Sequence, residues 1–378
     1  MSAVTLCGAA VVTPAGVAEG TALTIEDGRI AALGPDGRGE AIDLGGGYLL
    51  PGFIDTQVNG GGGVLLNDEP TVDGFAAIAQ AHRRHGTTGI LPTLISDELG
   101  VIERAIAACD EAIRQGVPGV LGLHIEGPFI HSERRGIHAE RFMRALDEDA
   151  MAVLTRPGSG VRLVTLAPEC VPTGTIRALR DAGVIVAAGH STAGYETTRA
   201  ALDEGLDGFT HLFNAMTQFS SRAPGMVGAA LEDRRSRFGL IVDGHHVHPA
   251  ALRVALSARG LDGAMLVTDA MPPAGTDAMQ FDLQGQTITV ADGALRGSDG
   301  TLAGSALTMD LALRNAIGLL DLDLASASRL ASTNPAAFLR IDGTRGTIET
   351  GKAADLVHLD ADLNVQRVWI GGLECPVG

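Results

Sequence analysis

Four apolar runs in this chain each finish on a side chain that can bind a metal or move a proton: LGLHIEG at Glu126, VIVAAGH at His190, DGFTH at His211 and AMLVTD at Asp269. A carboxylate with two imidazoles is the donor set of a catalytic zinc-type site, which takes about three protein ligands and keeps one position for water. A further carboxylate beside such a site can take a proton from the attacking water and return it to a leaving nitrogen. A single histidine of this kind reads as well as a core residue satisfied by one backbone hydrogen bond, and Asp269 as a helix N-cap or a fourth ligand. Three matched segments favour a metal held by Glu126, His190 and His211, and the same convergence favours Asp269 as base and acid.

Convergence requires the runs to be parallel strands whose ends gather at one rim. Between the chain ends the pattern is strand, loop, helix, repeated, with candidate strands at 52–58, 89–93, 120–126, 161–167, 184–190, 208–211, 238–242 and 264–269. Eight such units predict an α/β fold, a (β/α)₈ TIM-like barrel. A doubly wound sheet is the rival, but no Gly-rich dinucleotide or P-loop fingerprint follows the first strand. After Asp97, Ile102, Ala105, Ile106, Cys109 and Ile113 recur at helical spacing, with Gly116 as a stop. Another helix is expected after His190, with Ser191 or Thr192 as N-cap and Gly205 at its C-terminal side. Residues 280–296 alternate like a hairpin around Asp292-Gly293 and read as an insertion after the last strand.

The two chain ends have a different style. Strands are expected at 9–12, 22–25 and 29–33, the last two joined by the turn Glu26-Asp27-Gly28, and again at 355–359 and 365–370. Residues 1–48 and 346–378 therefore predict a small β-sandwich domain interrupted by a barrel of residues 49–345.

Composition narrows the chemistry. At 378 residues with 45% hydrophobic content, the chain can bury a large core. A net charge of -17 opposes nucleic acid and anionic membranes as partners, so an anionic small substrate would need a local cation. The four cysteines form no CxxC pair, and neither a basic leader nor an apolar run of about 18 residues is present. A soluble, cytoplasmic protein is the expectation. Lys352, in GTIETGKAADLV, is the sole lysine. That excludes a barrel Schiff-base lysine and a carboxylated lysine bridging two metals.

The segments PGFIDTQVNG, HIEGPFI, TLAPE, GHST, THLFNAM and VTDAM occur in order along nearly the whole chain. Together they resemble the amidohydrolase superfamily and, more narrowly, the N-acetylglucosamine-6-phosphate deacetylase family. The resemblance implies hydrolysis of N-acetylglucosamine 6-phosphate to glucosamine 6-phosphate and acetate by a homodimer. One divalent metal per subunit, Zn²⁺ or Fe²⁺, would sit on Glu126, His190 and His211, with Asp269 as the catalytic carboxylate. It further implies that His138, in RRGIH, polarises the acetyl carbonyl and that Asn214 and Ala215 meet the sugar phosphate. Arg222, in SSRAPG, would pair with that phosphate, within one subunit or across to its neighbour, and His246, in DGHHV, would contact the sugar. Other readings are an N-acetylgalactosamine-6-phosphate deacetylase, an amidohydrolase with an unphosphorylated substrate, and a barrel scaffold without turnover.

One departure from the superfamily pattern is informative. Where many amidohydrolases carry His-x-His after the first strand, this chain has Gln57-Val58-Asn59. Amides bind zinc poorly beside imidazole, so a second metal position should be weak or empty, with Gln57 and Asn59 as hydrogen-bonding groups, although Asn59 reads equally well as the residue that closes the first strand. Of the other histidines, His82, His85 and His358 are expected in solvated or structural roles, the first two on the polar side of a helix. His124, two residues before Glu126, faces the same side and can support it. His131 and His248 carry no assignment, and of the adjacent His245 and His246 one alone can face inward.

Overall fold

The expected strands form one eight-stranded parallel sheet in sequential order: β1 (Phe53–Val58), β2 (Thr87–Ile95), β3 (Gly122–Glu126), β4 (Val161–Leu166), β5 (Ile185–Ala188), β6 (Gly208–Phe209), β7 (Arg237–Leu240) and β8 (Ala264–Leu266). The computed structural model describes residues 3–291 and 293–377. The sheet is drawn closed just past β8, where Ala270 bridges Val58 in parallel and Asp269 N donates to Gln57 O at 3.0 Å. All nine residues of β2 are buried, as expected of a strand covered on both faces.

A helix follows each strand in turn, Val72–Arg83, Leu99–Arg114, Glu148–Leu154, Thr175–Asp181, Tyr195–Glu204, Gly225–Glu232, Pro249–Arg259 and Met309–Leu320. Leu99–Arg114 buries Ile102, Ala105, Ile106 and Cys109 of the stripe read from the sequence, leaves its last member, Ile113, half-buried, and adds Ala112. The helix after β5 ends at Gly205 in the left-handed region, as expected. Its N-cap is Gly194, however, and not Ser191 or Thr192. Those two side chains are drawn away to the carboxylate of Glu169.

Strands from both chain ends share a six-stranded sheet in the order Leu373–Cys375, Val365–Ile370, Leu356–Leu359, Tyr48–Pro51, Ala10–Thr13, Gly16–Ala18. A four-stranded sheet, Arg29–Gly34, Ala22–Glu26, Val4–Cys7 and Glu40–Asp43, completes this region, with Leu6, Leu23, Ile30, Leu49, Leu356 and Trp369 packed in one cluster. The turn at Asp27-Gly28 has φ of 49° and 76°, the paired positive values of a tight hairpin. The insertion has three strands, Gln280–Leu283, Gln286–Ala291 and Ala294–Arg296, where one hairpin was expected; Asp292 lies outside the described residues.

The picture of four strand ends needs correction. Glu126 alone is the last residue of its strand; His190, His211 and Asp269 stand two to three residues beyond theirs. The reason is local: their φ values are 50°, 32° and 52°, in the left-handed region, which no strand can contain. Each non-glycine residue held there costs about 1–2 kcal/mol. His82 is also not on a polar face. It is buried, with Nε2 2.9 Å from Gly60 O, while His85 lies past the helix and pairs with Asp310 at 3.3 Å.

Candidate metal centre and active site

The loops leaving the C-terminal rim bring three donor atoms into mutual contact. Glu126 Oε1 lies 3.3 Å from His190 Nε2 and 3.1 Å from His211 Nε2, and the two nitrogens are 3.0 Å apart. His190 Nδ1 donates to Arg134 O at 2.8 Å, so in the neutral ring Nε2 presents a lone pair to the other two atoms. With lone pairs on His190 Nε2 and the Glu126 carboxylate, the triangle needs a proton on His211 Nε2 or a cation between the three atoms. The charge balance shows the same demand. Burial opposes ionisation of Glu126, yet the hydrogen bonds and charges of His190 and His211 hold its carboxyl well below the usual range. Burial opposes protonation of His211, and Glu126 nevertheless pulls it upward. The donor set fits a divalent cation, whose tetrahedral ligands lie at about 2.0–2.2 Å.

A ring nitrogen of His138 also falls within 4.8 Å of donor atoms of Glu126 and His190. His138 nonetheless stands apart from the tight triangle, because its Nδ1 is taken by Ser96, 2.8 Å from Oγ and 3.2 Å from the backbone N. Burial, then His190, push its pKa down to about 3, so the ring is neutral across the working range.

Asp269 completes the rim. Its Oδ1 accepts from Gln57 Nε2 at 3.1 Å and Asn59 Nδ2 at 2.7 Å, and the same Gln57 nitrogen lies 3.1 Å from Glu126 Oε1. One amide thus spans both carboxylates. Burial and the charge of Glu126 raise the Asp269 pKa, opposed by His211 and His246. Beneath the rim, His124 is wedged between Thr93 Oγ1 at 3.3 Å and Thr165 Oγ1 at 2.8 Å, inside the barrel.

A cavity of about 330 Å³ opens over this cluster, walled by Glu126, His138, His190, His211, Asn214, Ala215, His246 and Asp269 among others. A larger one of about 420 Å³, at the seam with the terminal strands, gathers Asp323 and Arg329 but no comparable set of donors. Chemistry, not size, selects the first. The choice between adjacent histidines is resolved here: His246 lines the cavity, its Nδ1 2.6 Å from Asp243 Oδ2, whereas His245 is exposed. Asn214 turns its amide nitrogen back to His211 O at 3.2 Å. Arg222 is exposed and lies outside the cavity wall.

A family model described as the amidohydrolase family matches residues 48–374. The chain belongs to the amidohydrolase family. It is 42% identical over 371 residues to the N-acetylgalactosamine-6-phosphate deacetylase of Shewanella sp. (strain ANA-3), covering 97% of this chain and 94% of that protein. It is 40% identical over 349 residues to the N-acetylglucosamine-6-phosphate deacetylase of Homo sapiens, covering 88% and 84%. Among solved structures, the N-acetylglucosamine-6-phosphate deacetylase of Pasteurella multocida superposes with a TM-score of 0.95 at 34% identity, covering 99% of each chain.

Several residues that shape this amidohydrolase site escaped the sequence reading. Arg134 fixes His190 through its carbonyl and lines the cavity, Ser96 holds His138, and Thr301 and Leu302 reach the wall from the segment that follows the insertion. Glu169 accepts from Ser191 Oγ at 2.7 Å and Thr192 N at 2.5 Å, gripping the loop that follows His190. Asp243 alone left a usable signal, a carboxylate three residues before His246 in DGHH. The others act through backbone groups or distant contacts. Of the undecided histidines, His248 caps Pro249–Arg259 and His131 caps the turn Ser132–Arg134, while His358 bonds Gly46 O at 2.8 Å.

Proposed function

We propose that the chain hydrolyses the acetamide of N-acetylglucosamine 6-phosphate, releasing acetate and glucosamine 6-phosphate. The observation carrying this reading is the placement of Asp269 and His138 beside the Glu126, His190 and His211 triangle within one cavity. When bound to that triangle, a divalent cation, for which we propose zinc with ferrous iron as the alternative, supplies Lewis-acid polarisation and activation of water. Asp269 takes the proton of the attacking water as its oxygen bonds to the acetyl carbon. His138 donates a hydrogen bond to the carbonyl oxygen as negative charge gathers there. Asp269 then hands its proton to the nitrogen, the C–N bond breaks, and acetate and the amine leave. Gln57 and Asn59 hold Asp269 in register, which supports a single-metal site.

His246, Asn214 and Ala215 would meet the sugar and its phosphate. Arg222 would supply the cation for the phosphate, and its exposure beside Phe219, 63% exposed, suits a contact completed across a homodimer. A cytoplasmic location is in keeping with four free cysteines and, among the described residues, no helix long and apolar enough to cross a membrane.

The galacto epimer is the second reading, favoured by the 42% identity to a protein named for it. An acetate-release assay on both amino-sugar 6-phosphates and on the unphosphorylated sugar, beside elemental analysis, separates these readings. We expect turnover of a phosphorylated sugar, none by Asp269→Asn with metal still bound, and a raised KM for Arg222→Glu with phosphorylated substrates only. Normal turnover by Asp269→Asn would overturn the mechanism.

A further inference from the structure

We infer that Ser96 is a positioning residue for His138, fixing the imidazole tautomer that carries its proton on Nε2, and that the three-stranded insertion fastens Ser96 through Gln284. The inference rests on the proposed role of His138 as donor to the reacting carbonyl.

Ser96 is fully buried and follows Ile95, the last residue of β2, where pairing with β3 ends at Glu126. Its backbone N–H is therefore free of the sheet and points instead at His138 Nδ1, 3.2 Å away. A backbone N–H can only donate. Nδ1 is then favoured as the acceptor, although at 3.2 Å this is the longer of the two contacts from Ser96, and a neutral imidazole with a lone pair at Nδ1 has its hydrogen on Nε2. The Ser96 hydroxyl, 2.8 Å from the same nitrogen, adds a second donor. Gly127, at φ +79°, leaves the space for this pair: a Cβ there would stand 2.3 Å from Ser96 Oγ and 3.6 Å from His138 Nδ1.

The remaining polar group of Ser96 is held from the far side. Gln284 occupies the turn between Gln280–Leu283 and Gln286–Ala291 and donates Nε2 to Ser96 O at 3.1 Å. Its own Oε1 is buried without a partner among the described residues, so the amide is kept in place at a cost. Insertion, Ser96 and His138 thus form one chain of contacts ending in the cavity. The opposite tautomer would turn a lone pair toward a carbonyl oxygen gaining charge and would repel it.

Nitrogen-15 NMR of the zinc-loaded, histidine-labelled enzyme tests this directly, with His138→Gln identifying the signals. The wild type should show an unprotonated Nδ1 and a protonated Nε2 at His138. Ser96→Ala should shift the ring toward mixed tautomers and lower kcat about tenfold or more with KM nearly unchanged, with Ser96→Thr recovering both. Gln284→Ala should move the same signals by less. A protonated Nδ1 in the wild type, or a Ser96→Ala enzyme with the wild-type tautomer, would overturn the inference. The spectrum is read without substrate, so failure of the assigned deacetylation is told apart from failure of the tautomer.

Discussion

Asn59 Nδ2 donates to Asp269 Oδ1 across 2.7 Å, from the residue just past the end of β1. Asp269 Oδ2 has no protein hydrogen bond among the described residues, so in the proposed mechanism it is the oxygen that would handle protons. Burial raises the Asp269 pKa and Asn59 opposes that rise. Asn59→Ala should therefore raise it further. A base must be ionised to work, so the acid limb of the kcat/KM profile should move to higher pH. An acid limb unmoved in that variant would separate Asn59 from the proton transfer.

Removal of the cation should loosen the rim, because Glu126 and His190 would then depend on a single proton at His211 Nε2 in its place. Binding to the native state alone stabilises by about 2.7 kcal/mol at a hundredfold excess over Kd. Chelation should lower Tm, and added zinc should restore it. The check is calorimetry on wild type beside Glu126→Gln, which should respond little to either treatment.

Glu169 should matter to the metal without touching it. Its carboxylate receives Ser191 Oγ, Thr192 N and Thr192 Oγ1, the groups directly after His190. Glu169→Ala should weaken metal affinity about 10–100-fold, as loss of such supporting contacts does elsewhere. Glu169→Gln keeps one acceptor oxygen and should fall between. Competitive chelator titration measures both, and unchanged affinity in the alanine variant would remove Glu169 from the argument.

Asp55 links β1 to the segment after β8, accepting from Gln57 N at 3.2 Å, Thr268 N at 3.3 Å and Thr268 Oγ1 at 2.5 Å. Burial pushes its carboxyl up to about 7 from the usual 3.8, against those hydrogen bonds. The shift is upward, so the stabilising contribution is complete below about pH 4 and is lost as pH rises to about 7. The full shift corresponds to about 4 kcal/mol. Asp55→Asn cannot ionise. Its stability relative to wild type should climb between about pH 4 and 7 and level off above, as urea unfolding would show. A difference independent of pH would contradict the buried, protonated carboxyl.

The barrel was legible because its strands are continuous apolar runs and its helices carry clear stripes, signals that survive without knowledge of tertiary contacts. Glu126, His190, His211 and Asp269 were legible as a group because each follows such a run. Their backbone was not, since a left-handed φ at histidine or aspartate leaves no trace in residue type. Ser191 and Thr192 misled for a related reason: a hydroxyl before a helix suggests a cap, and only the fold reveals Glu169 as the stronger acceptor. His82 misled because the helix meets a second surface at Gly60, which periodicity cannot show. Arg134 contributes a backbone carbonyl, which every residue possesses, and Ser96 a backbone N–H and a hydroxyl that only the fold brings to His138.

The left-handed backbone at His190, His211 and Asp269 sets activity against durability. Glycine would accept those φ values without penalty, so replacing any of the three by glycine relieves a local conformational debt while abolishing a donor. An inactive variant of this kind, examined free of cation, can outlast the working enzyme on heating. A search for thermostable variants that does not also demand turnover would accept glycine at these positions as readily as at Asp321, Arg340 or Leu363, which share the positive φ.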